Sequence, residues 1–177
     1  SAPGRFGILD NNARAIIGKD KVPVTELDKE VWDHFLSINT TAVFLATKFA
    51  ARHMIDAGNG GRIINIASNA GLMGQAYTVA YSTTKGAVVN MTRALAMEFM
   101  KEPIRINAVA PGSVDTSMTR NYTLPDNLDF SLMQPYIGFR DMADADELAN
   151  VIAFEASDEA SRIHGAIIPV DGGVTAG

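Results

Sequence analysis

The sequence predicts an α/β fold in which a parallel sheet carries helices on both faces. Three observations predict it. Four short apolar runs, FGIL at 6–9, RIINIAS at 62–68, RINAVA at 105–110 and AIIPV at 166–170, read as buried strands. Helical patterns lie between them, the alternation that parallel βα units require. Each run is followed at once by polar or glycine-rich residues: DNNAR at 10–14, Ser68 with Asn69, PGSVDT at 111–116 and DGG at 171–173. In an open parallel sheet the ligand sits beyond the carboxyl ends of the strands, so these stretches are where chemistry is expected.

In chain order, the strand at 6–9 comes first. Thr25 with Asp28 three residues on resembles a capping box and opens a helix over TELDKEVWDHFLSI. A second helix over TTAVFLATKFAARHMIDAG stops at Gly58, and GNGGR at 58–62 is a turn leading into the strand at 62–68. The stretch AYSTTKGAVVNMTRALAMEF reads as a helix running to about Met100, followed by the strand at 105–110. Residues 118–140 carry two prolines and scattered Tyr, Phe and Met. They read either as a surface excursion with a few packing anchors or as a lid over an apolar ligand. A helix from Asp144 to about Ser157 buries Leu148, Val151, Ile152 and Glu155 on one face, and the strand at 166–170 closes the pattern.

A chain of 177 residues is long enough for one domain with a sizeable core, so residues 1–177 are expected to form a single domain. With 47% hydrophobic and 20% charged residues the composition is globular. A net charge of −5 argues against nucleic acid or anionic lipid as a partner, because both need clustered Lys and Arg. The absence of cysteine excludes disulfides and thiolate metal sites and agrees with a cytoplasmic setting. No long uncharged apolar run predicts a membrane span, and SAPGRFGILD lacks the layout of a secretory signal.

The chemistry is expected at Tyr81 and Lys85. Residues four apart share one helix face, so the phenol and the ammonium can reach a common point. A Tyr and a Lys so spaced carry little weight alone, since an interfacial tyrosine beside a solvated lysine is the ordinary reading. Ser68 changes the balance: it ends a strand shortly before this helix, and a strand end and the next helix start can face each other. An ammonium beside a phenol favours phenolate and makes the hydroxyl a usable proton donor and acceptor, while a serine hydroxyl can hold a carbonyl oxygen. That is alcohol and ketone chemistry, and it needs an external hydride carrier such as a nicotinamide. His34, His53 and His164 lie in no pattern that pairs with Ser68, and no metal-ligating cluster is present.

Taken together these motifs resemble a short-chain dehydrogenase/reductase from about Phe6 to the C-terminus. NNAR at 11–14 resembles the family's NNAG, Asn39 in SINTTAVF its helix asparagine, RIINIAS the strand ending on serine, and AYSTTK its Y-x-x-x-K pair. IRINAVAPGSVDT resembles its strand and PG-x-x-x-T turn, and IIPVDGG its last strand. The resemblance implies a Rossmann-like, doubly wound parallel sheet and an NAD- or NADP-dependent enzyme acting on a secondary alcohol/ketone pair. Tyr81 would be the acid/base; Lys85 would assist it and hold the nicotinamide ribose. Ser68 would orient the substrate oxygen, and Asn39 would maintain a helix distortion and bind water in a proton relay to Lys85. Asn12 and Ala13 would lie along the cofactor with Tyr81 and Lys85, while Pro111, Gly112, Val114 and Thr116 would receive its amide. Singly, each has a plainer reading: Asn12 a strand-end turn, Asn39 a helix break, Thr116 a cap, Pro111 with Gly112 a turn.

The resemblance covers the second half of the family's fold. The family's glycine-rich phosphate turn and early βα units have no counterpart in this sequence, so the sheet is expected to be truncated on its N-terminal side. Arg14 stands where the family has glycine and either contacts phosphate or obstructs the cofactor path. Asp10 replaces an apolar residue, and the interval from Asn39 to Ser68 is slightly long, as GNGG would explain. Two functions follow as expectations: the catalytic part of an oxidoreductase, or an inactive remnant serving as a binding or assembly subunit. Ala87, Val88, Val89, Met91, Leu95, Ala96 and Met97 surround most of the Tyr81 helix, so a homodimer or homotetramer is expected to cover what the sheet does not.

Overall fold

A computed structural model describes residues 6–15, 21–120 and 124–176, with the backbone alone at Met118. The stretch SAPGR, read above for a leader pattern, and residues 121–123 of the proline-containing segment lie outside the described residues. Four strands, β1 (Ile8–Asn11), β2 (Gly61–Ile66), β3 (Ile104–Pro111) and β4 (Ile167–Val170), form one all-parallel sheet in the order β1-β2-β3-β4. The α/β class and the parallel sheet are as the sequence predicts.

The element bounds differ in instructive ways. β1 begins two residues later than the apolar run and takes in Asp10 and Asn11, which stand opposite Ile64 and Asn65. Asn11 can belong to a buried strand because its amide donates to Asn65 Oδ1 at 2.8 Å and Thr47 Oγ1 at 3.1 Å. The expected capping box at Thr25 does not form. Val24–Glu26 is a short 3₁₀ turn, and α1 (Lys29–Leu36) starts after Asp28, which makes no side-chain cap. A reciprocal capping box is present instead at Asp144 and Glu147, where α6 (Ala145–Ala156) begins at the position expected. α1 runs through a π-turn (Ser37–Thr41) directly into α2 (Ala42–Asp56), and Gly58, in a left-handed conformation at φ 64°, ends it.

α2 and α3 (Val79–Glu98) cover one face of the sheet. Ala50, Ala51 and Met54 pack with Ile63, Ile104 and Ile106, and nearer the carboxyl edge Val43, Val88 and Val89 pack with Ala67, Ala108 and Ala110. Full burial of each branched aliphatic side chain stabilises the fold by about 1.5–3 kcal/mol. The alternate residues of β3 face α6, where Asn107 donates to Glu155 Oε2 at 2.7 Å and Arg105 donates to the carbonyls of Glu155 and Ser157 that α6 leaves unpaired. Of the face expected to be buried, Glu155 alone is fully so, while Leu148, Val151 and Ile152 are half-buried; burial pushes the Glu155 carboxyl above the usual range. Between β3 and α6 lie two short helices, α4 (Ser117–Arg120) and α5 (Gln134–Ile137).

Candidate active site at the carboxyl edge of the sheet

Three strand ends and the first turn of α3 build the site. Past β2, Ser68 is extended and leads a 3₁₀ turn (Asn69–Gly71); its buried Oγ accepts from the Ala70 N–H at 3.2 Å. The same hydroxyl lies 3.5 Å from the Pro111 carbonyl, which ties the end of β2 to the end of β3. The turn is seated against α3 without a spacer. A Cβ at Gly71 would stand 2.7 Å from the carbonyl carbon and oxygen of Lys85, so only glycine permits this approach.

Tyr81 lies half-buried in the first turn of α3, and Lys85 one turn later is 3% exposed. The Lys85 ammonium donates to the Ile66 carbonyl at 2.7 Å and lies 5.8 Å from the centre of the Tyr81 ring. Burial first, and the neighbouring Arg14 second, bring its pKa down to about 8. An ammonium carries three donors, and among the described residues one is committed, to the Ile66 carbonyl, so a ligand with hydroxyl or other acceptor oxygens fits the remainder. The phenol ring is held on two sides. Phe35, fully buried on α1, meets it edge-on with centroids 6.4 Å apart, and the Arg14 guanidinium lies over it at 5.1 Å from the centroid.

Asn39 is fully buried inside the π-turn. Its Oδ1 accepts from the Ala15 N–H at 2.9 Å and its amide donates to Thr84 Oγ1 at 3.4 Å, so it joins the loop after β1 to α3 beside Lys85. The extra residue of the π-turn is what brings this side chain inward. Asn12 and Ala13 are exposed at the end of β1, where the sequence reading puts them. Past β3, Pro111 is buried and Gly112 donates to the Val170 carbonyl at 3.0 Å. Val114 bridges to Ala143, but its own N–H is left out of that ladder among the described residues. Thr116 takes its plainer role as well: its hydroxyl accepts from the Thr119 N–H at 3.3 Å and caps α4.

Three contributors were beyond the sequence reading. Phe35 was one of several apolar positions of α1, and nothing local marks it as the ring that steadies Tyr81. Gly71 could have been flagged only by its place after the strand serine. Tyr77 adopts a left-handed conformation at φ 64° just before α3, rare for a non-glycine residue and concentrated at functional loops. Its hydroxyl accepts from the Asp129 N–H at 3.1 Å, and Leu128, Met133 and Tyr136 pack with Met73, Ala76 and Tyr77. The described part of the 118–140 segment is therefore anchored on the loop that leads into the Tyr81 helix.

Among the described residues no group of three or more His, Cys, Asp or Glu is placed to hold a metal ion, and no helix is long and apolar enough to cross a membrane. A family model described as Enoyl-(Acyl carrier protein) reductase matches residues 2–175. Cis-4-hydroxycyclohexanecarboxylate dehydrogenase of Sinomonas cyclohexanicum is 43% identical over 176 residues, covering 99% of this chain and 69% of that protein. Meso-2,3-butanediol dehydrogenase of Serratia marcescens is 38% identical over 173 residues, covering 98% of this chain and 66% of that protein. Among solved structures, ElxO with NADP bound superposes with a TM-score of 0.85 at 28% identity, covering 99% of this chain and 69% of that one. 4-Hydroxyisoleucine dehydrogenase complexed with NADH superposes with a TM-score of 0.81 at 29% identity, covering 96% and 69%. The chain thus spans about two thirds of the length of the relatives it matches.

Proposed function

Because the chain belongs to the short-chain dehydrogenase/reductase family, with that family's Rossmann-like fold, we propose that it carries the catalytic residues of an NAD- or NADP-dependent oxidoreductase that interconverts a secondary alcohol and its ketone. The observation that carries this reading is the Tyr81–Lys85 pair: a half-buried phenol with a buried ammonium 5.8 Å from its ring centre, which among the described residues donates to the Ile66 carbonyl alone. With a hydroxyl that both donates and accepts, Tyr81 can give a proton to a carbonyl oxygen that is being reduced or take one from an alcohol. Ser68, held by its turn, orients that oxygen by hydrogen bonding.

A nicotinamide dinucleotide, when bound, supplies or accepts the hydride that no side chain can carry. The donor set fits such a group. The uncommitted N–H donors of Lys85 suit ribose hydroxyls, the Val114 N–H suits a carboxamide oxygen, and Asn12 and Ala13 offer an exposed path at the strand ends. Pro111 and Gly112 set the direction of the chain toward Val114, and Thr116 holds the following turn. Asn39 fixes the loop after β1 and the Thr84 turn of α3, and so positions Lys85 for the proton relay. The anchored 124–137 segment covers one side of the site and supplies apolar contact for the substrate, and the protein assembles as a homodimer or homotetramer through the α2–α3 face.

The test is turnover of the full-length protein with NAD and NADP on secondary alcohols such as cis-4-hydroxycyclohexanecarboxylate and meso-2,3-butanediol. Tyr81→Phe is expected to lower kcat by about 10²–10⁴-fold with the fold intact, the range for loss of a positioned acid/base. Turnover at the wild-type rate in that variant would refute the assignment.

A further inference from the structure

We infer that Arg14 is the anion-recognising residue of this site, holding a carboxylate or phosphate group of a bound ligand beside the Tyr81 ring; the inference rests on the site assignment above. Three observations carry it. The guanidinium lies over the phenol ring at 5.1 Å from its centroid, so it belongs to the reactive end of the site and not to an outlying surface. A guanidinium placed over a ring by its central carbon still carries five N–H donors in a planar fork, the geometry that grips an oxyanion in a two-pronged fashion.

The backbone beside it is fixed. Ala15 is buried, and its N–H donates to the fully buried Asn39 side chain at 2.9 Å, so the loop holds Arg14 in place while its side chain stays exposed to an arriving ligand. Finally, the charge that the described residues place here is one-sided. Among the described residues neither Arg14 nor Lys85 has a carboxylate partner, and the Lys85 ammonium is directed to the Ile66 carbonyl. Two cations within Coulombic reach of each other, one of them buried, repel; the repulsion contributes to the lowered pKa of Lys85. A ligand bringing its own negative charge relieves this repulsion, whereas a neutral ligand leaves it.

The experiment uses the full-length protein with Arg14→Gln and Arg14→Lys, both checked for unchanged thermal unfolding. One arm compares kcat/KM for cis-4-hydroxycyclohexanecarboxylate with that for its uncharged carboxamide. The other measures binding of NADH, NADPH and the unreactive cyclohexanecarboxylate by calorimetry. Arg14→Gln is expected to weaken the anionic partner by about ten- to hundredfold, the range for a charge-assisted hydrogen bond, with Arg14→Lys retaining part of it. A fall in the acid-to-amide ratio together with weaker cyclohexanecarboxylate binding assigns the anion to the substrate. A loss shared by NADH and NADPH assigns it to the pyrophosphate, whereas a loss confined to NADPH, whose additional phosphate lies on the adenosine end away from the nicotinamide, overturns the placing of the anion beside Tyr81. An unchanged ratio with unchanged binding overturns the inference, as does faster turnover of acid and amide alike, which would make Arg14 an obstruction. If Tyr81→Phe leaves turnover intact, the catalytic assignment fails on its own, while the calorimetric arm still reports on Arg14.

Discussion

Lys85 shows how much a single residue's chemistry depends on its surroundings. In the unfolded chain it keeps its proton up to its ordinary pKa of 10.5, whereas in the fold it releases it near 8, chiefly because burial penalises the charge. Below pH 8 both states are charged and the fold carries the whole desolvation penalty. Between 8 and 10.5 the native state has lost a proton that the unfolded state retains. Its contribution to stability therefore rises with pH across that window, by up to about 1.4 kcal/mol per pH unit. Lys85→Met is expected to be more stable than wild type by about 2 kcal/mol at pH 7, once loss of the Ile66 hydrogen bond is set against relief of burial. The advantage should shrink as pH rises toward 10, as read from urea unfolding at a series of pH values, while turnover is abolished. A variant less stable than wild type at pH 7 would mean that the buried ammonium is not under strain. Tyr81, Lys85 and Ser68 were legible as candidates in the sequence because helix spacing and strand-end position together, and the family resemblance with them, put the three at one sheet edge. The placing of Phe35 and Arg14 against the Tyr81 ring was not, since each is a contact between residues far apart in the chain.

At the scale of elements, the site depends on two irregularities that local pattern conveys poorly. The π-turn at Ser37–Thr41 makes α1 and α2 one continuous body and turns Asn39 inward. Its presence followed from family resemblance, not from periodicity, because the apolar spacing on either side is that of ordinary helix. The second irregularity is the seating of the Ser68 turn on α3 through Gly71. Gly71→Ala is expected to destabilise the protein by about 1–3 kcal/mol, the usual result of forcing a methyl group against close-packed backbone. It should also lower kcat/KM, because Ser68 and Lys85 would be pushed apart. Thermal unfolding and steady-state kinetics check both, and an unchanged Tm would show that the turn can shift freely. The first helix illustrates the opposite error. Thr25 and Asp28 have suitable chemistry for a capping box, but Pro23 and the 3₁₀ turn delay the helix to Lys29, so the motif has no helix end to cap. Asp144 and Glu147 sit at a helix start, and there the same chemistry forms.

For the whole molecule, the question is what lies against the surfaces the described fold leaves apolar. Val88, Val89 and Ala96 of α3 are buried within the chain, and Met91 and Leu95 pack against its core, so the expected partner face narrows to Met97 and its surroundings. Met97 and Phe49 are each 67% exposed, and Phe44 and Leu95 line a groove between α2 and α3. Sizing with light scattering is expected to give twice or four times the chain mass, and Phe49→Asp to shift the protein toward monomer. A monomeric wild type would remove the oligomer from the proposal. β1, an edge strand of the described sheet with Ile8 half exposed, is a second such surface. What the sequence by itself determined was the α/β class, the parallel strands and the placing of polar residues such as Ser68 at the strand ends. These depend on periodicity and on residue type at strand ends, which are properties of short windows. The tertiary structure alone decided the burial that lowers the Lys85 pKa, the Phe35 and Arg14 contacts that hold the Tyr81 ring, and the split of α3 between core and surface. Desolvation and charge repulsion depend on which distant segments meet, and no short window contains both partners.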